Sequence, residues 1–381
     1  MHTSHGTVLP GFEAVQELFE FFLANDPDYS AQVAVYQHGR RVVHLHGGPH
    51  IAADSITGAY SCSKGIAAMV IALLVRDGSL DLDQPVAHYW PEFAAAGKHE
   101  ILVRAALSHQ AGVLGVPGGI PLDRLHTSEA AAMLAAAEPL WRPGNGTFGY
   151  HAITIGVLME ELCRRVTGSS LQQTYDGALR IPYGIDFFLG LPEDQEPRYR
   201  DVLYEPTDQW IDPLGYEGLN SNIAAGTIME LPNRRTVRAG GMSAAGGVGS
   251  ADGLARAYAA VSTGVETEEG HLAPALDDKT IRVMAEEQVW GLDRSSGLDN
   301  AFAIVFMKPH PSRNFGSHLA FGHEGANAAL GFADPAYGLS FGYVPQWAEE
   351  GRTQGRAHQL AAAARRAASA VKHAVEHSVE R

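Results

Sequence analysis

Residues 60–76 read YSCSKGIAAMVIALLVR, and the fold turns on how this run is interpreted. From 63 onward it is apolar nearly all round instead of along one stripe. That predicts a helix buried on every side, with Gly78 placed as its C-terminal cap. Ser61 and Lys64 stand three residues apart at its start, so both side chains share one face of the first turn. A helix N-terminus favours developing negative charge, and a lysine desolvated there can lose its proton at ordinary pH and activate a hydroxyl. The pair is therefore a candidate nucleophile and base. Spacing alone does not establish this: Ser369 and Lys372 repeat it in a C-terminal Ala-rich helix, where it reads as a solvated face, and a serine-capped buried helix would look the same.

Outward from this run the chain alternates between recognisable patterns. On the N-terminal side Phe12, Val15, Leu18, Phe19, Phe22 and Leu23 recur at helical spacing until Asn25, Asp26 and Pro27. Two β-rich runs, AQVAVY (31–36) and RVVHLH (41–46), flank His38, Gly39 and Arg40 as a hairpin. On the C-terminal side a long Ala/Leu-rich region includes a helix expected from about Tyr150 to Thr167, closed by Gly168. Small residues fill 239–247, a helix follows near 252–261, and the β-rich runs 301–308, 318–323, 328–333 and 338–344 precede a last helix over 357–377. This order predicts an α+β fold: one antiparallel sheet built from both chain ends, flanked by N- and C-terminal helices, with an all-helical domain inserted. The expected division is 1–60 plus 250–381 for the sheet domain and 61–249 for the helical one, with the active site between them.

Composition narrows the function. At 381 residues the chain exceeds the ~250–300 at which single cores stop growing, and 45% hydrophobic with 19% charged residues is globular. The 28 Lys+Arg against 43 Asp+Glu give a formal charge of −15, which repels nucleic acid and anionic lipid. Cys62 and Cys163 have neither CxxC nor Cys/His spacing, so zinc and a disulfide framework are not expected. Residues 1–20 carry no basic, apolar leader pattern and no apolar run reaches the ~18 residues of a membrane span, so a soluble, cytoplasmic protein without a membrane partner is expected.

Two further segments suit chemistry. GYHA (149–152) places Tyr150 at an expected helix start, where its hydroxyl could reach a serine as phenolate base or proton relay, or be an ordinary amphipathic tyrosine. HEGA (323–326) lies between two strands and could aim a backbone N–H at an oxyanion while His323 faces substrate. His44, His46 and His50 suggest a metal cluster, His44 and His46 lying on one face of an expected strand, and ordinary strand histidines are the preferred reading. Asn145, Gly146 and Thr147 form a glycosylation sequon that a cytoplasmic protein would not use, Cys62 reads as a buried inert thiol, and no Gly-x-Ser-x-Gly elbow occurs.

Taken in order, VVHLHGG, YSCSKGIAAM, RAALSHQAGV, LWRPGNGTFGYHAITIG, RRVTG, GGMSAAGGVGSADGLARAYAA and FGHEGANAALGFADP resemble the serine β-lactamase superfamily over nearly the whole chain. The likeness is to class C β-lactamases and the related family VIII carboxylesterases. The resemblance implies Ser61 as nucleophile, Lys64 as general base and Tyr150 as catalytic tyrosine, with the N–H groups of Ser61 and Ala326 as oxyanion hole. It also implies that His323, Glu324, Gly325 and His151 line the substrate pocket, and that no cofactor is needed. Two departures matter. Ala152 stands where class C has the Asn of Tyr-x-Asn, and His323 and Glu324 replace the Lys and Thr of Lys-Thr-Gly. A β-lactam carboxylate seeks that cation, so the esterase branch fits better. The expected activity is two-step acyl transfer on a small-molecule ester or amide. The alternatives are a biosynthetic transacylase, a β-lactamase or D-Ala peptidase, and a non-catalytic binding protein on the same fold.

Overall fold

The computed structural model describes residues 3–206, 210–348 and 355–379; residues 1–2 and 380–381, the outer ends of the expected sheet domain, lie outside the described residues. Its principal strands are β1 (His5–Val8), β2 (Ala31–Gln37), β3 (Arg40–Gly47), β4 (Val289–Leu292), β5 (Asp299–Phe302), β6 (Phe321–Glu324), β7 (Leu330–Asp334) and β8 (Leu339–Pro345). The long helices are α1 (Glu13–Asn25), α2 (Cys62–Arg76), α3 (Thr154–Thr167), α4 (Ala251–Ser262) and α5 (Arg356–Val379). The two chain ends meet in one six-stranded antiparallel sheet ordered β1-β3-β2-β8-β7-β6, the seam being β8 on β2 with Phe341 opposite Val35. This is the β-lactamase/transpeptidase-like α+β fold.

Each face of the sheet has its own cover, which is why β2 and β8 are buried along their whole length. On one face Val33, Val35, Phe332 and Phe341 pack with Phe19 and Phe22 of α1 and Leu360 and Ala364 of α5. On the other, Ala34, Tyr36 and Ala333 meet Leu254 and Tyr258 of α4 and the apolar length of α2. That second core continues without a break into Ile155, Leu158 and Leu162 of α3. Apolar packing therefore joins the sheet to the helical segment across positions 60 and 249. The whole surface of α2 is covered from Cys62 to Leu74, as its unstriped sequence predicts.

Several expected boundaries shift. The run 301–308 is not one strand: β5 ends at Phe302, the Ala303 amide bonds the Phe306 carbonyl in a turn, and Val305 takes a positive φ of 69°. A short apolar run reads alike as strand or buried turn. Hairpin β4–β5 was not expected, because Gly291 interrupts its first strand and Trp290 and Leu292 are exposed. The expected strand over 318–323 is confined to β6. No helix among the described residues is long and apolar enough to cross a membrane.

Candidate active site

The tight turn before α2 holds Tyr60 at φ 43°, a conformation that a side chain adopts only when its surroundings enforce it. Ser61 follows, and the first turn of α2 brings Lys64 Nζ to 2.8 Å from Ser61 Oγ and 2.8 Å from the Ala244 carbonyl. Lys64 is fully buried without a carboxylate partner among the described residues, and desolvation drives its pKa well below the usual lysine value. Tyr150 Oη donates to the same Ser61 Oγ at 2.9 Å, and its ring centroid lies 5.0 Å from Lys64 Nζ. Burial pushes the phenol's pKa up. One hydroxyl thus meets an amine disposed to be neutral and a phenol disposed to keep its proton.

Tyr150 sits ahead of its helix, not in it, since α3 begins at Thr154. The reason is that successive amides of this segment donate to side chains. The Tyr150 N–H reaches Asp293 Oδ1 (2.9 Å), that of His151 reaches His109 Nδ1 (3.0 Å), and that of Ala152 reaches Asn220 Oδ1 (2.6 Å). The Tyr150 ring stacks on Phe302 at 5.6 Å and 6° and meets the His109 ring at 5.1 Å. His151 does not face open space: it is fully buried, its Nε2 accepts the Val113 N–H at 3.1 Å and its Nδ1 pairs with the Gly149 carbonyl at 2.6 Å. Burial lowers its pKa to about 4, so it is a neutral strut.

Edge strand β6 closes the third side. The His323 ring lies 5.9 Å from that of Tyr150, its Nδ1 donating to the Glu324 carbonyl at 2.8 Å and its Nε2 having no partner among the described residues. Burial holds this imidazole neutral. The Glu324 carboxylate pairs with Arg313 Nε at 2.9 Å and His358 Nε2 at 2.6 Å. At Gly325 an added Cβ would stand 2.4 Å from the Ala59 carbonyl, so only glycine lets the strand end come this close to the Ser61 turn. Asn327 fastens the approach, donating to the carbonyls of Gly58 (3.0 Å) and Pro345 (3.3 Å). Ala326 is thereby held beside the turn that carries Ser61.

Cys62 turns away from the site, donating to the His323 carbonyl at 3.3 Å, with its pKa raised by burial. His44 and His46 share a face of β3, and among the described residues no group of three or more His, Cys, Asp or Glu could hold a metal. Sequence reasoning did not single out Asp293, His109 or Asn327. His109 and Asn327 lay inside the quoted RAALSHQAGV and FGHEGANAALGFADP motifs, but Asp293 lay in none and acts through a contact 143 residues distant along the chain.

A serine hydroxyl held between a helix-borne lysine, a phenol and the edge strand of an antiparallel sheet is the arrangement of the β-lactamase-like serine hydrolases, and this chain is one of them. It belongs to the beta-lactamase family, whose profile matches residues 22–365. The structure is similar to that of EstA from Arthrobacter nitroguajacolicus Rue61a, with 53% identity, 96% of this chain and 98% of that one covered, and a TM-score of 0.93. It is also similar to a family VIII carboxylesterase, with 30% identity, 96% and 99% covered and a TM-score of 0.82. The sequence is 30% identical over 364 residues to the esterase/beta-lactamase LipL of Mycobacterium tuberculosis, covering 89% of this chain and 82% of that protein.

Proposed function

We propose that the protein is a carboxylic ester hydrolase working through an acyl-Ser61 intermediate. The observation that carries this is the pair of hydrogen bonds on Ser61 Oγ, 2.8 Å from Lys64 and 2.9 Å from Tyr150, with burial moving the two pKa values in opposite directions. Neutral Lys64 takes the hydroxyl proton as Oγ attacks the ester carbonyl. The resulting oxyanion rests on the N–H groups of Ser61 and Ala326. Tyr150 passes its proton to the departing alkoxide and regains one from Lys64. Water then attacks the acyl-serine, giving its proton to the Lys64/Tyr150 pair, which passes it to Ser61 Oγ as the acyl C–O bond breaks and the carboxylic acid leaves.

A neutral His323 and a Glu324 carboxylate that already holds the Arg313 guanidinium leave no free fixed positive charge for a β-lactam carboxylate, which supports esters over β-lactams. Among the similar proteins, the family VIII carboxylesterase is named for ester cleavage and LipL is named as both esterase and beta-lactamase. The test is hydrolysis of short-chain p-nitrophenyl esters. Ser61→Ala should lose at least about 10³-fold in kcat/KM, whereas Ser369→Ala, on half-buried α5, should match wild type. Unchanged turnover in Ser61→Ala would overturn the reading.

A further inference from the structure

The chain does not run straight on from β5. A turn sends Met307 back to pair with Gly322 of β6, and the Lys308 amide donates to the Ala301 carbonyl at 2.9 Å. The Lys308 side chain, only 6% exposed, is thereby fixed in the lining of a cavity of about 650 Å³. The helix Asp278–Ala285, the last residue of α4 and the segment ahead of β6 supply most of the rest of that lining. None of Ser61, Lys64, Tyr150 and His323 belongs to it, so this is a second site, of the size that holds small organic ligands.

The side chains around it define the ligand. Ile281, Ala285 and Leu319 give the cavity an apolar wall, while Asp278, Glu286 and Glu287 nearly balance Arg282 and Lys308, so neither an anion nor a cation is selected. Lys308 Nζ donates to the Ala320 carbonyl at 2.8 Å and forms no ion pair among the described residues. Burial, opposed by the fields of Glu287 and Asp334, brings its pKa down to about 8. Near neutral pH about a tenth of such amines carry a free lone pair, against less than about one in a thousand for an ordinary lysine.

We propose that this cavity is a capture site for small neutral aldehydes, which it holds as an imine on Lys308 Nζ. The nitrogen lone pair attacks the carbonyl carbon and one N–H proton moves to the oxygen. The carbinolamine then loses its hydroxyl and the remaining N–H proton as water while the C=N bond forms, and hydrolysis reverses the sequence without any further reagent. Glu287, which lines the cavity and acts on the Lys308 charge, is the group at hand to carry these protons. An uncharged carbonyl suits the balanced charges, and its alkyl chain suits the apolar wall. The site is independent of the ester-hydrolase reading, since it shares no residue with the Ser61 machinery.

The experiment uses the wild-type protein, incubated near neutral pH with hexanal and sodium cyanoborohydride, which reduces an imine to a stable secondary amine. Peptide mapping then assigns the adducts. The chain has five lysines, and Lys279, exposed on the helix Asp278–Ala285, is the internal reference for an ordinary amine. The hexyl adduct should accumulate on the Lys308 peptide at least about tenfold faster than on the Lys279 peptide. An excess of 1-hexanol, which fills the same space but forms no imine, should slow labelling at Lys308 and leave Lys279 unchanged. Glyoxylate, an anionic aldehyde, should lose most of the preference for Lys308. Equal labelling of the two lysines by hexanal overturns the reactive amine. A Lys308 adduct that hexanol does not slow, or that glyoxylate forms with the same preference, overturns the cavity as the site that selects a neutral ligand.

Discussion

Burial acts in opposite directions on the two groups that share Ser61 Oγ. It strips Lys64 of the solvent that would stabilise its ammonium form and denies Tyr150 the solvent that would stabilise a phenolate. The free enzyme at neutral pH therefore holds base and acid ready together. Because Lys64 must be neutral to accept a proton, kcat/KM should rise with pH through an apparent pKa well below the ordinary lysine value of about 10.4. That pKa belongs to the coupled pair. A limb appearing only near the free-lysine value would contradict the assignment of Lys64 as base. Lys64→Arg, whose guanidinium stays protonated, should lose about 10²–10⁴-fold at every pH measured. The Ser61/Lys64 relation was legible in the sequence because three residues on a helix fix it whatever else the chain does. Tyr150 was not legible from its own neighbourhood. Its loop is shaped by Asp293, His109 and Asn220, and only the run of ordered motifs singled it out.

Hairpin β4–β5 is the element that sequence patterning missed and the site depends on. Its turn carries Asp293, fully buried, which accepts from the Tyr150 and Ser295 amides at 2.9 and 2.8 Å and from Asn300 at 2.8 Å. Asp293→Ala would leave these donors unpaired at about 1–3 kcal/mol for each one that water cannot reach. It should lower Tm and reduce kcat with KM less affected; a wild-type kcat in a folded variant would show that the hairpin does not place Tyr150. Within α3, Glu160 is buried against Ser243 and Gln172, and desolvation raises its pKa to about 7. A carboxyl whose folded pKa lies above its unfolded value holds more protons in the folded state. Its contribution is fully present below about pH 4.5 and is lost as pH rises through about 7, by on the order of 3 kcal/mol at most. Glu160→Gln should remove that component from a plot of Tm against pH, and an unaltered slope would contradict the shift. Neither feature shows in a periodicity reading, since Gly291 breaks the pattern of β4 and Glu160 resembles any polar helix position.

At the scale of the whole molecule, the antiparallel sheet formed by both chain ends and the buried α2 were readable, because alternating runs near each terminus and an unstriped helix permit few other arrangements. The continuity of the core was not. The sequence suggests a break where the helical segment begins, but Leu254 and Tyr258 of α4 and Leu158 and Leu162 of α3 belong to one apolar body. That shared body lets a lysine from α2, a tyrosine from the loop before α3 and a strand end from β6 be held around one hydroxyl. The net charge of −15 surrounding it disfavours polyanionic partners. The central claim is that this hydroxyl, Ser61 Oγ, is the nucleophile. The most direct measurement is intact-mass spectrometry of the protein treated with a fluorophosphonate, followed by peptide mapping. One adduct on the peptide containing Ser61, blocked in Ser61→Ala and slowed in Tyr150→Phe, is the predicted result; an adduct on another serine, or labelling undiminished in Ser61→Ala, would contradict it.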